Sequence, residues 1–156
     1  MTVLAWRVAS ALYAEDAFGG EGAARHAGRW NRKGTPVVYA ASSKALAILE
    51  VLPYFVPETE KAPFLAYPVR FAPSLIERIV DLPPDWKASR VPRSTQEIGT
   101  RWAHECRSAV LAVPSARIEE EWNYILNPRH PDFGRLRIGK PTPVSLLQFL
   151  PRSLVP

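Results

Sequence analysis

Gly28-Arg29-Trp30-Asn31, then Pro36-Val37-Val38-Tyr39-Ala40, then Ala45-Leu46-Ala47-Ile48-Leu49-Glu50 place an arginine, a tyrosine and a glutamate in one short span of chain. Arg29 to Asn31 reads as a short strand, and Arg32-Lys33-Gly34-Thr35 as a turn. Pro36 to Ala40 is an apolar run consistent with a buried strand. Ser42 or Ser43 caps the helix that follows, because a serine hydroxyl satisfies a free backbone N–H there. The expected helix spans residues 44–52. Ala45, Ile48, Leu49 and Leu52 recur at three and four residues and give it one core face. Glu50 then falls to the side of that face, where it reaches a cleft margin. Pro53 ends the run.

Working outward, Val3 to Val8 is β-prone and reads as a first strand. Residues 10–27 are small and glycine-rich, and Phe18-Gly19-Gly20 marks a loop. Phe64 to Phe71 reads as a strand that Pro68 confines to an edge or a bulge. Pro73 to Ile79 suits a short helical turn. Ser94-Thr95-Gln96-Glu97 offers a capping box for a helix over Ser94 to Cys106, weakened at Gly99. Ala109 to Val113 is apolar enough for a buried central strand. Glu119 to Leu126 suits one or two helical turns, and Leu136 to Ile138 a short strand. The segment 141–156 is an apolar, proline-broken tail. Mixed short strands and helices without regular alternation predict an α+β fold, not a doubly wound sheet.

The totals bound the function. A chain of 156 residues predicts one domain over 1–156. A single cysteine, Cys106, excludes an internal disulfide. No apolar run is long enough to span a membrane, and Met1 to Ser10 lacks a secretory pattern, so a cytoplasmic protein is expected. The formal charge of +5 suits an anionic small molecule, an acidic protein or nucleic acid. The basic residues are scattered, and a solvated mixed surface accounts for them equally well. Phosphate-cradling loops, zinc motifs and the serine elbow are all absent, so no metal is expected. His104 and Cys106 stand two apart on one helix and face away from each other.

Several segments, taken in order, resemble the RES domain family, named for its arginine, glutamate and serine. They are Trp6-Arg7, Gly28 to Asn31, Pro36 to Ala40, Ala47-Ile48-Leu49-Glu50, Ser108 to Ser115, and Asn123-Tyr124 through Asn127-Pro128-Arg129-His130-Pro131-Asp132-Phe133. The resemblance runs from about Trp6 to Ile138, which makes 6–138 the expected core. The family's frequent final aspartate–proline–arginine strand has no aspartate here, in Phe149-Leu150-Pro151-Arg152.

The resemblance implies a small split sheet around a cleft, similar to ADP-ribosyltransferase toxins. It implies a toxin of a toxin–antitoxin pair that cleaves the nicotinamide–ribose bond of NAD⁺, by hydrolysis or phosphorolysis. Transfer of ADP-ribose to a protein is the alternative outcome. Glu50, Arg29 and Tyr39 are the implied catalytic residues. Arg29, Tyr39 and Ser115 are implied substrate contacts, with Arg7 and Asn31 as further cleft residues. NAD⁺ is a substrate, with no other cofactor. The implied partner is an Xre-like helix-turn-helix antitoxin that blocks the cleft; a homodimer is a further candidate, and neither nucleic acid nor membrane is expected. Against the enzyme stands a binding module holding a polyanion through Arg25, Arg29, Arg32 and Lys33.

Overall fold

Val110–Pro114 (β5) is buried along its whole length and anchors the sheet. Its side chains alternate between two clusters. Val110 and Ala112 join Phe71, Tyr124 and Leu126 in one, while Leu111 and Val113 join Trp30, Trp102 and Ile125 in the other. Period-two alternation with both faces covered is the mark of a central strand. Truncating Leu111 to alanine would cost about 2–5 kcal/mol through lost transfer energy and the cavity left behind.

The remaining strands are Val3–Ser10 (β1), Val38–Ala41 (β2), Phe64–Phe71 (β3), Ile76–Arg78 (β4), Trp122–Leu126 (β6), Arg137–Ile138 (β7) and Thr142–Val144 (β8). The helices are Glu21–Arg25 (α1), Lys44–Val51 (α2) and Arg93–His104 (α3). This computed structural model describes residues 1–59 and 62–155. Among them the strands form one sheet in the order β4-β5-β6-β2-β1-β3-β7, with β8 also on β3. Only β4 and β5 run parallel. The fold is a mixed α+β sheet with short helices, as expected.

The sheet parts between β1 and β2. These strands share one register pair, Trp6↔Ala41, whereas β1 and β3 share eight. Arg7 bridges the parting: its Nη1 donates to the Tyr39 carbonyl at 3.0 Å. A side chain thus does there what the ladder does elsewhere.

Several local expectations give way to tertiary context. Residues 29–31 form a turn closed by a single bridge between Gly28 and Asn31. Trp122–Leu126 is a strand, not helical turns, because β2 and β5 offer unpaired edges on both sides. The 10–27 segment holds a 3₁₀ stretch, Ala11–Asp16, and then α1. Residues 73–79 split into a 3₁₀ turn and β4. Helix α3 begins after Pro92, and Ser94 bonds Asp85 at 2.7 Å instead of capping. Pro68 sits opposite Trp6 in a strand paired on both sides. Its outer flank falls between β8 and β7, and its carbonyl takes the Gly139 N–H. The 141–156 segment is partly built into the sheet through β8 and the buried Leu146.

Gly99 explains itself structurally. A Cβ there would lie 1.8 Å from the Trp30 carbonyl oxygen, so α3 packs directly on the 28–31 turn. The glycine costs helix propensity and makes that approach possible. No helix among the described residues is long and apolar enough to cross a membrane.

Candidate active site

A cleft of about 930 Å³ opens over the place where β1 and β2 part. Residues 6–8 of β1 and 39–41 of β2 form its floor, α2 supplies Glu50, and the 28–30 turn supplies Arg29. Arg7, Arg29, Tyr39 and Glu50 therefore line one hollow. Ser115 and Asn31 do not reach its surface: both are fully buried one layer below.

Glu50 reaches the cleft through the packing of α2. The Ser43 hydroxyl accepts the Leu46 N–H at 3.0 Å and fixes the helix start. Leu46 and Ala47 are the buried pair of this helix, while Ala45 and Leu49 are exposed. The core stripe is thus rotated from the expected one. Glu50 follows Leu46 by four residues and Ala47 by three, so it lies on their side of the helix. Five apolar residues in a row, Ala45 to Leu49, leave periodicity unable to choose between the two stripes.

Three donors hold the Glu50 carboxylate. Ser115 Oγ and Asn123 Nδ2 donate to Oε1 at 2.8 and 2.9 Å. Arg117 Nε donates to Oε2 at 3.0 Å. Ser115 Oγ also accepts the backbone N–H groups of Arg117 and Ile118, at 3.1 and 3.2 Å. One hydroxyl therefore orders both the carboxylate and the turn that carries its guanidinium partner. The Glu50 side chain is 30% exposed, so the ion pair with Arg117 is screened and contributes no more than about 1 kcal/mol. Its value is in aiming the carboxylate.

Tyr39 is fixed at its hydroxyl. It donates to Asn31 Oδ1 at 2.6 Å and accepts the Trp30 N–H at 3.0 Å. Burial pushes the phenol above its ordinary value of 10.0, so it stays neutral. Asn31 is the hub beneath. Its Oδ1 also accepts the Gly28 N–H, and its Nδ2 reaches the Ala23 and Thr35 carbonyls. Gly28 is required there: a Cβ would lie 2.5 Å from the Tyr39 hydroxyl.

Two arginines divide the work. Arg7 gives Nε to the Ala17 carbonyl at 2.5 Å and Nη1 to that of Tyr39. Burial lowers its guanidinium to about 10, still cationic at neutral pH. Arg29 gives Nη1 to the carbonyls of Trp86 and Ala88, at 2.8 and 3.0 Å. Its Nε and Nη2 take no partner among the described residues. Arg29 thus holds the 86–88 loop over the cleft with one nitrogen and keeps the rest of the fork open. Lys87, from that loop, and Arg117 also line the cleft.

Sequence reasoning missed Arg117 entirely, and it placed Asn123 in helical turns with no part in the site. Both lie close to 70 residues from Glu50 in the chain, and no local signal marks either.

Residues 4–146 match the RES domain family. The "Prs ADP-ribosylating toxin" of Sphingobium sp. (strain YBL2) is 37% identical over 149 residues, covering 90% of this chain and 91% of that protein. The chain belongs to the RES domain family. "Toxin Res" of Photorhabdus laumondii is 37% identical over 134 residues, or 84% of this chain and 85% of its own. A chain from the crystal structure of the M. tuberculosis MbcT–MbcA toxin–antitoxin complex superposes with a TM-score of 0.74. It covers 99% of this chain and 90% of that one at 17% identity, a likeness of fold. The RES match ends at Leu146, the last residue of the buried core, and so takes in β8.

Proposed function

We propose that the protein is a toxin-type enzyme that cleaves the nicotinamide–ribose bond of NAD⁺, with water or phosphate taking the ribosyl carbon. One observation carries this reading: a triply held carboxylate on the wall of a cleft that Tyr39 and several cations also line. Arg7, Arg29 and Arg117 outweigh Asp16 and Glu50, and Lys87 adds a cation that is paired with Glu119, a basic balance that suits the phosphates of the dinucleotide. The cleft volume is also of the size that holds such ligands.

The chemistry needs one carboxylate. When the C1–N bond breaks, the electron pair leaves with the nicotinamide ring, which becomes neutral. No acid has to protonate the leaving group, unlike ordinary glycoside hydrolysis with its two carboxyl groups. Positive charge develops on the ribose, and Glu50 stabilises it from a position fixed in advance. Ser115 and Asn123 position Glu50. Tyr39 presents a ring face that favours the cationic nicotinamide over the neutral product. Asn31 keeps that ring in place. The open edge of Arg29 binds a phosphate oxygen pair.

Incubating the purified protein with NAD⁺, with and without phosphate, tests the reading. Release of free nicotinamide is expected. None at high concentration of folded protein, together with salt-dependent binding to polyanions, would favour the binding module.

A second acceptor is motivated by the name of the Sphingobium relative, an ADP-ribosylating toxin. Transfer of ADP-ribose to a protein side chain shares the same first bond cleavage. The toxin–antitoxin complex of similar fold motivates a partner: an Xre-like antitoxin that covers the cleft mouth and excludes NAD⁺.

A further inference from the structure

Three residues of α3 form one stripe against the turn that carries Arg29. Gln96 Nε2 donates to the Gly28 carbonyl at 3.0 Å, and Thr100 Oγ1 accepts the Arg32 N–H at 2.9 Å. Gly99 stands between them and lets the Trp30 carbonyl approach. Residues three and four apart share one side of a helix, so the stripe follows from the spacing. The turn has other ties as well: the Gly28 N–H goes to Asn31 Oδ1 and the Trp30 N–H to the Tyr39 hydroxyl. Gly28, the residue before Arg29, is therefore held at both its N–H and its carbonyl. Gln96 makes the second of these bonds, although it does not line the cleft.

The start of α3 also steadies the loop that Arg29 grips. Ser94 Oγ donates to Asp85 Oδ1 at 2.7 Å, one residue before Trp86. Arg29 Nη1 donates to the Trp86 and Ala88 carbonyls. Arg29 thus bridges the turn and the loop, and Gln96 and Ser94 brace the two ends of that bridge. An arginine side chain has many rotamers, and ordering it costs entropy. Fixing the tip alone leaves the free edge able to swivel as the backbone at its root shifts. The two carbonyls fix the tip, and the doubly bonded Gly28 fixes the root. The free Nε and Nη2 then present one edge of parallel donors in a constant direction.

We infer that Gln96 is a positioning residue for Arg29: through the Gly28 carbonyl it sets the direction in which the free Nε and Nη2 edge meets the phosphates of the dinucleotide. The inference rests on the reading of the cleft as a site for NAD⁺ and adds to it a residue outside the cleft. Gln96 touches no substrate and acts through Gly28 and Arg29 alone. Its loss should weaken binding of the pyrophosphate and leave the bond cleavage at Glu50 unchanged.

The test is a double-mutant cycle on Gln96→Met and Arg29→Ala. Methionine keeps the length of the side chain and removes the donor. Calorimetry gives the Kd for ADP-ribose, which carries both phosphates and needs no turnover, and nicotinamide release gives KM and kcat for NAD⁺. Gln96→Met should raise the Kd and the KM about fivefold or more and leave kcat within about twofold. In the Arg29→Ala protein the same substitution should change the Kd by less than about twofold, because nothing is left to aim. A merely structural Gln96 would lower the urea midpoint in both backgrounds and leave the Kd alone. An unchanged Kd in folded Gln96→Met overturns the inference. So does an equal weakening with and without Arg29, or a fall confined to kcat. Should Gln96→Met not fold, Gln96→Asn, which keeps the amide and shortens its reach, takes its place with the same expectations. A wild type that binds ADP-ribose and releases no nicotinamide overturns NAD⁺ cleavage, while the cycle on ADP-ribose still decides the role of Gln96. A wild type that binds no ADP-ribose overturns both.

Discussion

Ser115 Oγ donates to Glu50 Oε1 at 2.8 Å, joining the end of β5 to α2 across 65 residues of chain. The same oxygen accepts two backbone N–H groups of the following turn. A buried hydroxyl with three partners is a structural tie and a means of aiming a carboxylate at once.

Ser115→Ala removes all three bonds from a fully buried position. The two N–H groups and one carboxylate oxygen lose a partner, so the protein should lose about 1–3 kcal/mol of stability. Nicotinamide release should fall with little change in the KM for NAD⁺, because the residue acts through Glu50. Urea unfolding beside steady-state kinetics checks both. Full turnover in a folded Ser115→Ala protein would detach this residue from the site.

Tyr39→Phe keeps the ring and deletes the hydroxyl. Asn31 Oδ1 and the Trp30 N–H each lose a partner, a cost of about 1–3 kcal/mol. The pH dependence has a definite sign. Burial raises the folded phenol above 10.0, the value at which the unfolded chain starts to lose this proton. The stability held by the neutral phenol is whole below pH 10 and is lost as pH rises past it. Urea midpoints from about pH 8 to about pH 11 should therefore fall more steeply in the wild type than in Tyr39→Phe. Parallel curves would refute the assignment. Arg7 titrates in both proteins and cancels from the comparison.

Gly99→Ala sets two effects against each other. Alanine in a helix interior is favoured over glycine by about 1 kcal/mol. The added Cβ would stand 1.8 Å from the Trp30 carbonyl, against backbone that cannot swing aside. Overpacking of that kind costs about 1–3 kcal/mol and dominates. The variant should unfold earlier in urea, and a stabilised variant would refute the close packing of α3 on the 28–31 turn.

How far the sequence speaks depends on where the deciding interaction lies. Val110 to Val113 is apolar without a break, so β5 is legible from its own residues. Trp122 to Leu126 is not, because the edges of β2 and β5 make it a strand and both are remote in sequence. The family pattern brings Glu50, Tyr39 and Arg29 to attention, and all three line one cleft. It says nothing of Asn31 as the hub under Tyr39, nor of Arg117 beside Glu50, since neither contact leaves a local periodicity or a cap. Gly99 reads as a weak point in a helix until Trp30 is seen against it.

Arg29→Ala should act in two places. Loss of the open guanidinium edge should weaken NAD⁺ binding by about 1.5–3 kcal/mol if it meets a phosphate. Loss of Nη1 frees the Trp86 and Ala88 carbonyls and with them the 86–88 loop. Trypsin should then cut faster after Lys87 and Arg90. Unchanged affinity with faster cutting would leave Arg29 a loop anchor alone.

The most direct test is nicotinamide release from NAD⁺ by the wild type and by Glu50→Gln, with folding and NAD⁺ binding measured alongside. Glutamine keeps the size and much of the hydrogen bonding to Ser115 and Asn123 while removing the charge. NAD⁺ should still bind, and turnover should fall by about two orders of magnitude or more. Equal turnover in the two proteins would contradict the account at its centre.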